Sequence, residues 1–230
     1  MTKLADILGA NLRDAADPAR ARGMQAYMKS AMPCLGVSAV PLRQVCNATF
    51  AGLEWADSNT WQDDVLAIWR RARFREERHA AIQLTGVRAA RDFQHLDTLP
   101  MYEEMIVTGA WWDYVDTVAT QRLWAILRNE GEPMTVTMLA WSGDADMWKR
   151  RSSILCQIKA KQETDLELLY ACIEPSLDSK EFFLRKAIGW SLRQYAWTDP
   201  AEVRSYVARH NERLSGLSRR EALKNIKAFA

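Results

Sequence analysis

The sequence predicts an all-α chain whose helices stack in successive pairs. Three observations carry this. Gly and Pro supply 17 of the 230 residues, about 7% against a usual ~12%, too few for the turns of an all-β fold of this length. Apolar residues recur at helical spacing behind recognisable start signals along most of the chain. The segment Thr135-Val136-Thr137-Met138 alone has strand character, and it is too short to define a strand. A chain of 230 residues is one large domain or two small ones. No low-complexity stretch or long linker divides it, so a single domain over 1–230 is expected.

Start signals recur from one end of the chain to the other. Pro18, Pro100, Pro133 and Pro200 stand where a first helical turn accepts proline. Thr60-Trp61-Gln62-Asp63 reads as an N-cap with an acid at N3, and the run to Arg71 places Trp61, Val65, Ile68 and Trp69 on one face. Asp178-Ser179-Lys180-Glu181 reads as a capping box. It opens a long helix with Phe182, Leu184, Ile188, Leu192 and Tyr195 inside. Ser218-Arg219-Arg220-Glu221 reads as another, opening a last helix with Leu223 and Ile226. About a dozen helices of roughly 10 to 18 residues result. Ankyrin and tetratricopeptide signatures are absent, so a solenoid of degenerate helical repeats fits best.

Composition excludes several classes. No window reaches ~18 apolar residues, so no membrane span is expected. The start Met1-Thr2-Lys3-Leu4-Ala5-Asp6 meets an acid too early for a signal peptide. Cys34, Cys46, Cys156 and Cys172 show no CxxC spacing, and there are three histidines. That argues against a zinc site or disulfide framework, and for reduced, mostly buried thiols in a cytoplasmic protein. No metal or cofactor is expected. A net charge of +2 does not announce nucleic acid. The basic clusters (Arg70, Arg71, Arg73, Arg75 and Arg78; Lys149 to Arg151; Lys159 and Lys161; Arg219 and Arg220) each read alone as solvated faces. Several on one concave surface would make a phosphate-binding groove. The compositional outlier is ten tryptophans.

Functional residues are sought where polar groups break apolar faces. In Trp111-Trp112-Asp113-Tyr114-Val115-Asp116, Trp112 and Asp116 stand four apart on one helical face, near Val115, Val118 and Ala119. Asp116 is then a partly desolvated carboxylate, or else a cap or salt-bridged surface acid. Met147, Ile154, Leu155 and Ile158 form an apolar stripe that Arg151 interrupts. A guanidinium there needs an internal carboxylate, or faces an anion-binding groove. Trp190 points away from the stripe of Ile188 and Leu192, toward a ligand or between neighbouring helices. Gly189 costs roughly 1 kcal/mol in mid-helix relative to Ala, which suggests close approach of another backbone or a ligand.

These same segments carry a resemblance. Trp111 to Asp116, Trp148 to Lys161, and Ser179-Lys180-Glu181-Phe182-Phe183 through Ala187-Ile188-Gly189-Trp190 to Tyr195-Ala196 are similar to the AlkD-type DNA alkylation repair glycosylases. Leu217-Ser218-Arg219-Arg220-Glu221-Ala222 resembles that family's C-terminal helix start. Tyr27-Met28-Lys29 and Leu35-Gly36-Val37 fit its N-terminal helices. The resemblance covers most of the chain and is strongest from about Met101 onward. It implies HEAT-like helical repeats in a curved solenoid with a basic concave DNA-binding face. The implied activity is excision of N3- and N7-alkylated purines from duplex DNA. Asp116 matches the family's catalytic aspartate. Trp112 and Trp190 match its active-site tryptophans, and Arg151 its active-site arginine. Tyr27 falls near a residue lining the cleft, and Arg193 is expected to contact DNA. Ser152 and Ser153 follow the arginine where small apolar residues are commoner.

The expected chemistry needs few groups. An N3- or N7-alkylpurine is cationic and leaves as a neutral base, so no general acid is required. An ionised Asp116 near C1′ would stabilise the oxocarbenium ion and orient water. Trp112 and Trp190 would hold the deoxyribose, and Arg151 a flanking phosphate. Base flipping is not expected. A monomer acting on alkylated duplex DNA, in a bacterial-type cytoplasm and at the nucleoid, is the resulting picture. Its rivals are a non-catalytic HEAT-like binder of distorted DNA and a protein-binding scaffold.

Overall fold

Aspartate caps or early prolines mark half of the α-helix starts in the structure, a computed structural model that describes residues 3–226. The chain divides into two compact units, Met1–Gln94 and His95–Ala230. Among the described residues every regular element is helical, as expected for an all-α chain.

The first unit holds α1 (Lys3–Asp14), α2 (Pro18–Met28), α3 (Ala39–Thr49), α4 (Ser58–Arg71) and α5 (Arg75–Leu84). Its core gathers Leu8, Leu12, Leu42, Cys46, Trp61, Val65, Ile68, Trp69, Ala81 and Leu84, all buried. The predicted face of α4 is therefore the buried one. The cap is displaced: Asp57 accepts the Thr60 N–H at 2.8 Å, so α4 starts before Thr60. In α2 no residue is buried, and its C-cap Lys29 turns left-handed at φ 48°. Residues 34–37 form no regular element, rather than the helix that the resemblance implied for Leu35-Gly36-Val37. The buried Glu76 carboxylate explains them. It accepts the backbone N–H groups of Leu35 (2.9 Å), Gly36 (2.9 Å) and Val37 (3.2 Å). A side chain on Gly36 (φ +88°) would meet the Asp17 carbonyl at 2.0 Å, so glycine alone fits.

The second unit holds α6 (Leu99–Gly109), α7 (Trp112–Thr117), α8 (Trp124–Glu130), α9 (Glu132–Ser142), α10 (Met147–Leu155), α11 (Leu166–Ile173), α12 (Phe182–Tyr195), α13 (Pro200–Arg209) and α14 (Gly216–Ala222). A π-helical stretch, Val118–Leu123, joins α7 to α8, so 112–130 form one continuous helix with a widened turn. The α-helices run from 6 to 14 residues, shorter than expected. Pro18, Pro100, Pro133 and Pro200 each occupy a first helical turn. Thr135–Met138 lies inside α9.

Two of the expected capping boxes shift by about one turn. Ser179 accepts the Glu181 N–H at 3.2 Å in a local turn, and α12 begins at Phe182. Leu184, Ile188 and Leu192 are fully buried as expected, whereas Phe182 is exposed. Ser215, not Ser218, caps α14, accepting the Ser218 N–H at 3.0 Å. The Ser218 hydroxyl instead donates to the Arg185 carbonyl at 2.9 Å. Helices α12 and α14 meet there at Gly189. A Cβ on it would lie 2.5 Å from Glu221 Cβ and 2.9 Å from the Ser218 carbonyl. The close approach that the glycine suggested is thus to a backbone.

Candidate active site

The site is built on α7, α10 and α12. Helix α6 ends at Ala110, whose left-handed φ of 43° redirects the chain. Trp111 then stands at the N-cap of α7, and Trp112 opens the helix. One turn on, Asp116 projects toward α10. Asp146 starts α10 by accepting the N–H groups of Trp148 (2.7 Å) and Lys149 (3.0 Å). That start delivers Arg151 to Asp116.

The two side chains form a bidentate pair. Arg151 Nε donates to Asp116 Oδ1 at 2.7 Å and Nη2 to Oδ2 at 2.8 Å. The remaining arm, Nη1, donates to the Phe183 carbonyl in the first turn of α12. One guanidinium therefore ties three helices. The Arg151 side chain is 5% exposed and the Asp116 side chain 16%, so the open edge of the pair belongs to the carboxylate. Burial pushes the Asp116 carboxyl above the ordinary carboxylate value. The Arg151 hydrogen bonds and charge pull it back only in part, and the Asp113 charge adds to the rise.

An aromatic wall stands behind the pair. The Trp148 and Phe183 rings lie 5.0 Å apart, Trp111 and Phe183 5.7 Å, and Trp111 and Trp148 6.3 Å. The Arg151 guanidinium carbon is 5.9 Å from the Phe183 ring. This wall keeps water from the guanidinium side and strengthens the ion pair.

Of the residues expected from sequence, Asp116 and Arg151 are brought together. Trp112 precedes Asp116 by one turn of α7. Trp190 lies seven residues beyond Phe183 on α12, about 10 Å along the same face, and both tryptophans are partly buried. Arg193 pairs with Glu221 of α14, which also accepts from Lys186 at 3.0 Å. Tyr27 lies in the first unit on α2 and is 76% exposed. Sequence reasoning missed the roles of Phe183, Trp111 and Trp148. The tryptophan excess was the signal for two of them.

The basic clusters divide. Arg75 is buried and donates to Ser30 Oγ at 3.0 Å, and Arg78 stacks 4.6 Å over Trp69. Lys149 pairs with Asp144 at 2.6 Å and Glu103 at 2.8 Å. The four cysteines are buried, and none is in a disulfide among the described residues. Among the described residues no cluster of three His, Cys, Asp or Glu could hold a metal, and no helix is long and apolar enough to cross a membrane.

Comparison with known proteins bears on the family and the fold. A family model described as DNA alkylation repair enzyme matches residues 8–226. A solved structure, described as a predicted DNA alkylation repair enzyme from Enterococcus faecalis, superposes with a TM-score of 0.81 at 27% identity, over 91% of this chain and 95% of that one. A search of the curated proteins finds no match. With nearly its whole length matched, the chain belongs to the DNA alkylation repair enzyme family.

Proposed function

We propose that the protein is a monofunctional DNA glycosylase that hydrolyses the N-glycosidic bond of cationic N3- or N7-alkylated purines in duplex DNA. Both units would act as one functional domain, with the concave DNA face that the resemblance implies. The observation that carries the reading is the partly open Asp116 carboxylate, clamped in two places by buried Arg151. Such a group is fixed and poorly hydrated, and the chemistry uses its anion. It is suited to a cation that forms only in the transition state.

The C1′–N bond breaks, its electron pair leaves with the base, and the base departs neutral. Positive charge develops on C1′ and the ring oxygen. Asp116 stabilises that charge and holds the water whose oxygen bonds to C1′. The water's proton passes to solvent, leaving an abasic sugar. Trp112 and Trp190 present indole faces to the deoxyribose. Tyr27 and Arg193 add DNA contacts, Arg193 by sharing its ion pair with Glu221. Arg151 acts mainly through Asp116. A flanking phosphate would have to share a guanidinium whose three nitrogens already donate.

The test is release of free base from duplex DNA carrying N7-methylguanine or N3-methyladenine, by wild type and Asp116→Asn under single turnover. The expected result is release by wild type and a loss of about 10²–10³-fold in the variant at nearly unchanged DNA affinity. Release by both removes Asp116 from its role. Binding without release by wild type favours a non-catalytic DNA binder.

A further inference from the structure

A second charged feature lies in the first unit, and the proposed chemistry does not use it. The ends of α4 and α5 and one face of α1 enclose a cavity of about 420 Å³. Its lining includes three arginines, Arg13, Arg71 and Arg73, and two acids, Asp6 and Glu77. Gly9 forms part of the lining. A Cβ on it would lie 3.3 Å from both Arg13 Nη1 and Glu77 Oε1. The missing side chain therefore keeps this end of the cavity open, in mid-helix, where glycine is costly.

The charges do not cancel. Arg71 is paired with Asp6, and Arg13 stands 3.9 Å from Glu77. Glu77 is further fixed by the N–H groups of Arg73 (2.6 Å) and Phe74 (3.0 Å). The Arg73 guanidinium has no hydrogen bond or ion pair among the described residues and is exposed. One positive charge is thus left over a cavity walled by planar donors. Guanidinium groups match the paired oxygens of phosphate. An excess of one charge matches a phosphodiester, which carries a single negative charge. The Asp6–Arg71 pair is solvent-exposed on both sides. An incoming phosphate can therefore replace Asp6 at little cost.

We infer that the cavity lined by Arg13, Arg71 and Arg73 is a binding site for a singly charged phosphate, filled by a backbone phosphodiester of DNA. This rests on the DNA reading above but not on the glycosylase chemistry. It places a DNA contact in the first unit, on residues outside the Asp116 constellation.

The experiment measures binding of a short undamaged duplex by fluorescence anisotropy between about 50 and 200 mM NaCl. The proteins are wild type, Arg73→Gln, Arg73→Lys and Asp6→Asn. Each phosphate neutralised contributes about 0.9 to the slope of log K against log salt. Arg73→Gln is expected to flatten the slope by about one such step, and Arg73→Lys to restore it. Asp6→Asn, which frees Arg71, is expected to bind more tightly and steepen the slope. Arg73→Gln and Asp6→Asn both following the wild-type line overturn the inference. A wild type with no salt-sensitive affinity overturns the DNA reading itself. Inorganic phosphate tests the other source. If it raises the melting temperature of wild type but not of Arg73→Gln, while the DNA slopes coincide, the cavity takes free phosphate and the DNA assignment falls.

Discussion

Asp116 is pulled in two directions. Desolvation favours its neutral form, and Arg151 favours its anion. Desolvation wins, so the folded-state value lies above the unfolded one, and folding favours protonation as pH falls. The proposed chemistry needs the anion. Base release is therefore expected to decline as pH falls, with its midpoint above the ordinary carboxylate value. Arg151→Met removes the hydrogen bonds and the charge that favour the anion and should move that midpoint higher; Arg151→Lys should move it less. A single-turnover pH profile of all three proteins decides this, and coincident profiles would contradict it. Arg151→Met also strands a buried carboxylate, so it should lose about 3–5 kcal/mol of stability by denaturant titration. Asp116 and Arg151 were legible because each breaks an apolar stripe. The third partner, the Phe183 carbonyl, was not, because a backbone oxygen has no signature in sequence.

Helix starts show what short-range patterns leave open. The strings Asp57-Ser58-Asn59-Thr60 and Ser215-Gly216-Leu217-Ser218 each offer more than one capping side chain. The choice between them is made by packing, as when Ser218 turns to the Arg185 carbonyl and leaves the cap to Ser215. Gly189 was legible as an anomaly, and its neighbour supplied the cause. Gly189→Ala is expected to cost about 1–3 kcal/mol, because the obstacle is the α14 backbone and the base of Glu221, neither of which can swing aside. A thermal midpoint equal to wild type would show that α14 moves freely. Glu76→Gln should cost about 1–3 kcal/mol, since the amide keeps one acceptor oxygen against three N–H donors. The π-helical stretch had no sequence signature, because its residues are ordinary helix formers.

At the level of the whole chain, class was easier to read than organisation. Scarce glycine and proline, and helical periodicity, sufficed for an all-α fold. The two compact units were not foreseen, because no composition shift or linker marks the step at Gln94–His95. Residues distant in sequence also decided which basic clusters are spent internally. Arg75 and Lys149 looked like their neighbours and proved to be paired. The thiols give a whole-molecule test. Burial pushes Cys46 and Cys172 up to about 12, and all four cysteines are enclosed. A thiol-specific reagent should modify the native protein negligibly at neutral pH, and all four sites once denaturant is added. Fast modification of the folded chain would contradict this core.

The widened turn at Val118–Leu123 bears on inheritance. A π turn holds one residue more than an α turn, so a single codon gained or lost creates or erases it. Losing one residue there would let the helix close into regular α form. Because the wide turn holds its extra residue within one turn, the turns on either side, Trp112 and Asp116 included, would keep their faces. The helix would survive, and so would the ion pair with Arg151. Along this stretch chain length is free to change by one residue while Asp116 and Arg151 stay paired.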